Sequence, residues 1–321
     1  MSMLSVGLGV VVLMGCSVAW AQEASEGIAA GFPGDVGIEK HPAVLFASGF
    51  EDGFEGWSLV ERDRRISSLV EDPELAHSGT TCCRSVAVRG VNTGGNVTHN
   101  FRREVDQVFL RFYCRFHRDA VIPHHFVKIR AIRPGGDGIR AGRRPAGDRA
   151  FWTGIEPVRD RTWQFYTYWH KMRASQQRAT EAESTYYGNR MIMGGQERLE
   201  RERWICVEAM LKANTPGQSD GEQAFWIDGE LIGWWKPGSP MGNYRGAHFV
   251  TPAPPGTEPI PFEGFDFRSD PAVKINQVLL QWYVTERYAR AGTSDRNIVY
   301  FDDVVIATEY IGPMAARTDT D

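Results

Sequence analysis

The sequence predicts an all-β protein, an antiparallel β-sandwich with long loops, and three observations lead there. Apolar and polar residues alternate with a period of two through most of the hydrophobic runs. Clusters of Gly, Pro, Asn or Asp bound each run. Strand-like and helix-like patterns do not alternate along the chain, which disfavours a parallel sheet.

The chain opens with an apolar run over residues 4–14, too short for a bilayer-spanning helix. Ala19-Trp20-Ala21 follows, then Gln22-Glu23, the small-x-small ending of a signal-peptidase site, so cleavage is expected after Ala21. The first three residues, Met1-Ser2-Met3, carry no Lys or Arg, which weakens that reading. The alternative is a lipoprotein acylated at Cys16, for which Met14 is a poor fit. The expected organisation is a signal peptide over 1–21, a leader over 22–41, one β-domain over 42–313 and a frayed tail over 314–321. Nothing later in the chain has the apolar length of a transmembrane helix, so a secreted or periplasmic location is expected.

Strands are expected over 85–89, 108–116, 125–132, 164–172, 203–213, 223–233, 274–285 and 298–310. Within the sixth, Asp228-Gly229 supplies the positive φ angles of a two-residue hairpin turn. Two segments break the pattern: 173–202, polar with a short helix expected over 174–183, and 236–271, rich in Pro and Gly. Loops of that length suit the walls of a binding groove.

A net charge of −4 and a pI near 6.1 leave no electrostatic footprint for nucleic acid. Several of the ten Trp fall where core packing alone does not account for them. Beyond the leader the cysteines are Cys82, Cys83, Cys114 and Cys206; a Cys82–Cys114 disulfide is allowed by alternation, with buried thiols as the equal alternative. There is no HExxH and no CxxC, which argues against zinc, and no organic cofactor is expected. The protein is expected to be a monomer.

Alternation also sorts side chains by face. Val127, Ile129 and Ala131 oppose His124, Phe126, Lys128 and Arg130, while His124-His125 straddles both faces. Tyr166, Tyr168 and His170 oppose Phe165 and Trp169. Cys206, Glu208, Met210 and Lys212 oppose Ile205, Val207 and Leu211, and Gln281, Tyr283, Thr285 and Arg287 oppose Val278, Leu280, Trp282 and Val284. One face rich in Tyr, His and Arg results, and it suits β-elimination at a uronic-acid sugar. That reaction needs a group to neutralise the substrate carboxylate, a base for the C5 proton and an acid for the leaving oxygen. Lys128, Arg130 and Gln281 are the candidate neutralisers, His170 or Tyr168 the candidate base, and Tyr283 or Tyr166 the candidate acid. Glu208, Arg287 and His124 join the substrate-binding candidates.

Three stretches resemble a known family. Phe50-Glu51-Asp52-Gly53-Phe54-Glu55-Gly56-Trp57 with His77-Ser78-Gly79 resembles the opening of secreted jelly-roll modules. Residues 203–214 with Phe225-Trp226-Ile227-Asp228-Gly229 resemble the central strands of polysaccharide-lyase-like, concanavalin-A-like domains. Residues 299–307, containing Asp302-Asp303, resemble their last strand. The resemblance implies a jelly roll acting on an acidic polysaccharide, with His/Tyr or Tyr/Tyr pairs as a catalytic option. It also implies a structural Ca²⁺ held by Glu51, Asp52, Asp302 and Asp303, an ion that needs six to eight oxygens. The leading expectation is a polysaccharide lyase. A non-catalytic carbohydrate-binding protein of the same fold is the alternative. A glycoside hydrolase comes third, because it needs two carboxylates flanking one bond and only Glu208, with the loop residue Glu156, is on offer.

Overall fold

The computed structural model describes residues 26–61, 63–135, 139–158 and 161–317. The expected cleavage site after Ala21 and the lipoprotein alternative at Cys16 lie outside the described residues. In chain order the strands are β1 (Val44–Ser48), β2 (Leu59–Val60), β3 (Ser67–Glu71), β4 (Thr81–Val88), β5 (Gly94–Val105) and β6 (Gln107–Phe116). Next come β7 (Lys128–Ile132), β8 (Ala150–Pro157), β9 (Trp163–Tyr168), β10 (Asn189–Met193), β11 (Trp204–Lys212) and β12 (Glu222–Ile227). The chain ends through β13 (Glu230–Trp235), β14 (Met241–Arg245), β15 (His248–Thr251), β16 (Ile260–Pro261), β17 (Ile275–Tyr283), the short helix α1 (Glu286–Ala289) and β18 (Arg296–Ala307).

These strands form two sheets. The first runs β13-β12-β11-β6-β18-β4-β3, with β1 paired onto β18; the second runs β16-β14-β15-β10-β9-β8-β7-β17-β5-β2. The pairings are antiparallel except β10 with β15. The inward faces meet in an aromatic core, where Phe126 of the segment before β7 packs on Phe116, Trp163, Trp282 and Phe301. Close packing of such rings supplies much of the apolar burial that holds a sandwich together.

The expected hairpin is present: Asp228 and Gly229 join β12 to β13 with φ of 51° and 84°. Both long loops carry strands, β10 in the first and β14, β15 and β16 in the second, and the stretch 174–183 is not helical. Those strands are short and sit toward one end of the second sheet, where few side chains need to alternate. The four cysteines are buried free thiols. Cys83, rather than Cys82, faces the core with Cys114, and β18 separates them, since both pair with Phe301. Two strand spacings, roughly 10 Å, exceed the reach of a disulfide.

The leader is docked rather than loose. Its amides at Ile28 and Ala29 bond to Tyr310 and Ile311 carbonyls at 3.1 and 2.9 Å. Ala29 and Ile38 are buried against Val305, Ala307 and Ile311 on the outer face of the first sheet. Asp35 there makes a two-pronged ion pair with Arg111 of β6, whose side chain is completely buried and also donates to the Asp303 carbonyl at 3.0 Å. The tail is held as well, as far as it is described: the Met314 amide donates to the Tyr113 hydroxyl at 2.9 Å.

Candidate active site

The outer face of the second sheet gathers the polar side chains. Antiparallel pairing puts Lys128, Gly154, Tyr166 and Arg190 in one row across β7, β8, β9 and β10. The next row holds Gln277, Arg130, Trp152 and Tyr168 across β17, β7, β8 and β9. Gly154 leaves a gap in the first row, and Lys128 leans over it so that Nζ lies 4.3 Å from the centre of the Trp152 ring. Burial lowers the Lys128 ammonium to about 8, against the opposing pull of Glu156. Arg130 Nη1 donates to Gln277 Oε1 at 3.0 Å, and Gln277 Nε2 donates to Asn100 at 2.7 Å.

The phenols are held protonated. Burial raises both Tyr166 and Tyr168 above the usual tyrosine range, and their hydroxyls interact with each other. Gly188 fits this arrangement because it has no side chain: a Cβ there would lie 2.4 Å from the Tyr166 ring. Gly188→Ala therefore pushes Tyr166 off its position. We expect a loss of about 1–3 kcal/mol of stability in a denaturant melt from the overpacking, together with reduced turnover.

Past the first row the chain bends, and His125 comes to the same face. Its backbone pairs with Tyr283, its ring lies 5.2 Å from Tyr166 and stacks at 5.9 Å on Tyr283, and its Nδ1 is 3.2 Å from Glu156 Oε2. Burial lowers the neighbouring His124, which keeps it neutral near pH 7. A pocket of about 510 Å³ opens here, lined by His124, His125, Glu156, Tyr166, Arg190 and Tyr288, among others. Arg190 has a buried Nε without a hydrogen-bond partner and, among the described residues, no carboxylate in ion-pair reach. Its backbone amide donates to His248 Nδ1 at 3.2 Å, and burial, with Arg190 and Arg245, lowers His248 to about 4.

No family model matches the sequence, and no curated protein does. Solved structures do match in shape. Alginate lyase vAL-1 from Chlorella virus aligns with a TM-score of 0.52 at 11% identity, over 79% of this chain and 93% of that one. The chain shares the jelly-roll fold of that enzyme. Two further matches are the endo-β-1,4-glucuronan lyase from the fungus Trichoderma reesei (TM-score 0.49, 17% identity, 83% and 95% coverage) and the PL-14 alginate lyase from Aplysia kurodai (TM-score 0.49, 14% identity, 84% and 93% coverage).

Within this jelly roll, Lys128, Arg130, Tyr166, Tyr168, Gln281, Tyr283 and His124 share the outer face of the second sheet. Three candidates do not. His170 lies beyond the end of β9, packed against Gly147 with Nε2 3.7 Å from Asp266. Arg287 is exposed on α1, because β17 ends at Tyr283. Glu208 belongs to the first sheet and is buried beneath the C-terminal segment, accepting the Ile311 and Gly312 amides at 2.8 Å each. Alternation sorted its face correctly but does not say which sheet a strand joins. Phe126 is a core residue for a related reason: it precedes β7, so the alternation of that strand does not extend to it.

Three of the four calcium candidates accept hydrogen bonds from the protein itself. Glu51 accepts the Thr80 and Thr81 amides and the Thr80 hydroxyl, each at 2.8 Å. Asp302 accepts the amides of His77 and Asp303, both at 2.9 Å. Asp303 is held by the Ser78 hydroxyl at 2.8 Å and His77 Nδ1 at 2.6 Å, and Asp52 is exposed. Among the described residues no three His, Cys, Asp or Glu side chains converge as a cation site. Nor is any described helix long and apolar enough to cross a membrane.

Proposed function

We propose that the outer face of the second sheet performs β-elimination on an acidic, uronic-acid-containing polysaccharide. The observation that carries this reading is the single row of Lys128, Tyr166 and Arg190, with His125 beside it: cations, a protonated phenol and an imidazole on one face. Lys128 and Arg190 neutralise the substrate carboxylate, which makes the C5 proton removable. His125 Nε2 takes that proton. The electron pair forms the C4–C5 double bond, the bond from C4 to the glycosidic oxygen breaks, and Tyr166 protonates the departing oxygen. Tyr168, hydrogen-bonded to Tyr166, provides a path for the phenol to regain its proton. Neither Tyr166 nor Tyr168 suits the role of base, because burial disfavours the phenolate. The glycosidase reading loses its second carboxylate, since Glu208 lies on the other sheet from Glu156.

The test is incubation with alginate, glucuronan, pectate and glycosaminoglycans while following the ultraviolet absorbance of the unsaturated uronate product. A rise with at least one polymer supports elimination. Reducing ends released without that absorbance would make the protein a hydrolase, and retention on a polysaccharide gel with neither product would make it a binding protein.

The Lys128 ammonium sets a pH dependence. Its value near 8 means that the charge is present below that pH and lost above it. Turnover per substrate bound should therefore fall as pH rises through about 8, and Lys128→Arg should flatten that limb. A rate that rose over the same range would instead make Lys128 the base.

A further inference from the structure

The carboxylate of Glu156 is out of keeping with its surroundings. It is 5% exposed, it lies on β8 opposite Gln164, and the face around it carries Lys128, Arg130 and Arg190. An anionic side chain on a surface that receives an anionic polymer repels the ligand, so Glu156 does not serve as a binding group. Among the described residues its carboxylate has one hydrogen-bond partner, His125 Nδ1, at 3.2 Å.

We infer that Glu156 is a positioning residue, which holds His125 in the tautomer protonated on Nδ1 so that Nε2 is left as the proton acceptor facing the substrate. The geometry favours this on two counts. A carboxylate within hydrogen-bond reach of one ring nitrogen places the proton there, whereas an imidazole without such a partner prefers the proton on Nε2, which would remove the base. The ring is also clamped, between Tyr166 on one side and Tyr283 on the other, so Glu156 fixes its rotation as well as its proton. The other titratable or charged groups that face this pair are His124 next to it, Lys128 from β7, Arg190 from β10 and Tyr288 from α1 by way of His124. None of these is a carboxylate, and Glu156 supplies the acceptor that His125 Nδ1 requires.

The inference rests on the elimination reading for its catalytic meaning, but the tautomer can be read without turnover. In the full-length protein, nitrogen-15 NMR of His125 should show the proton on Nδ1, and Glu156→Ala should move it to Nε2. On the polymer that the wild type cleaves, Glu156→Ala should lower kcat about a hundredfold, the lower end of what a positioned general base contributes. KM should stay level or fall, because a repulsive charge has gone. Glu156→Asp should recover part of the loss. An unchanged tautomer with unchanged kcat overturns the proposal, as does a loss confined to KM. If the wild type yields no unsaturated product from any polymer while the NMR result holds, the elimination reading fails and the Glu156–His125 coupling stands.

Discussion

Tyr166→Phe should lower kcat by about two to four orders of magnitude, the range associated with a positioned proton donor, with the fold intact. The change removes one hydroxyl and leaves the ring in the row between Gly154 and Arg190. Binding should therefore be little altered and KM should move less than kcat. The donor is well placed because burial keeps the phenol protonated and the Tyr168 hydroxyl lies next to it. Tyr168→Phe provides the comparison: it removes the relay partner but not the donor, so its effect should be smaller. Steady-state rates followed by product absorbance, with a thermal melt as control for folding, decide the matter. If Tyr166→Phe kept full activity, the acid would have to be sought elsewhere on the face, with Tyr283 the next candidate.

The largest effect on stability is expected far from that face. Asp35→Asn should destabilise the protein by about 3–5 kcal/mol, the cost of breaking a buried ion pair from one side. Arg111 is fully buried, and without the Asp35 charge its guanidinium keeps, among the described residues, only the Asp303 carbonyl, the Tyr113 ring and the more distant pull of Glu208 on β11. Asn is the informative substitution because Asp35 sits at φ 57°, a conformation that Asn tolerates and that Ala would strain. Combining it with Arg111→Met should recover part of the loss, since the guanidinium is then no longer buried without its partner. Urea unfolding of the wild type, the single variant and the double variant tests this. Equal midpoints for Asp35→Asn and the wild type would mean that this ion pair contributes nothing to the fold.

The antiparallel sandwich was legible because alternation is a local property: β6, β11, β17 and β18 lie close to where the pattern puts them. The Asp228-Gly229 hairpin was legible for the same reason. The site was legible in part. Lys128, Tyr166 and Tyr283 point outward as alternation requires, but Glu208 follows the same rule on the opposite sheet, and only tertiary pairing separates the two cases. His125 was missed because the chain bends before β7, which brings to the outer face a residue that strict alternation sends inward. Arg190 lay hidden in a stretch too short and too polar to read as a strand. Glu156, expected in a loop, lies on β8, where Trp152, Gly154 and Glu156 share one alternation face that is visible in the sequence.

The place of β18 in the first sheet bears on how the chain reaches its native state. This last strand is hydrogen-bonded to β6 and β4, and β1 pairs with it as well. During synthesis the strand that fills the middle of that sheet therefore emerges after all of its neighbours. Until it arrives, β4 and β6 lack their shared partner and the core rings Phe112 and Phe126 lack Phe301. Contacts between residues so distant along a chain make folding slow, and the waiting edges are open to pairing with other chains. Shortening the chain before β18 should accordingly yield an aggregating product rather than a smaller soluble domain.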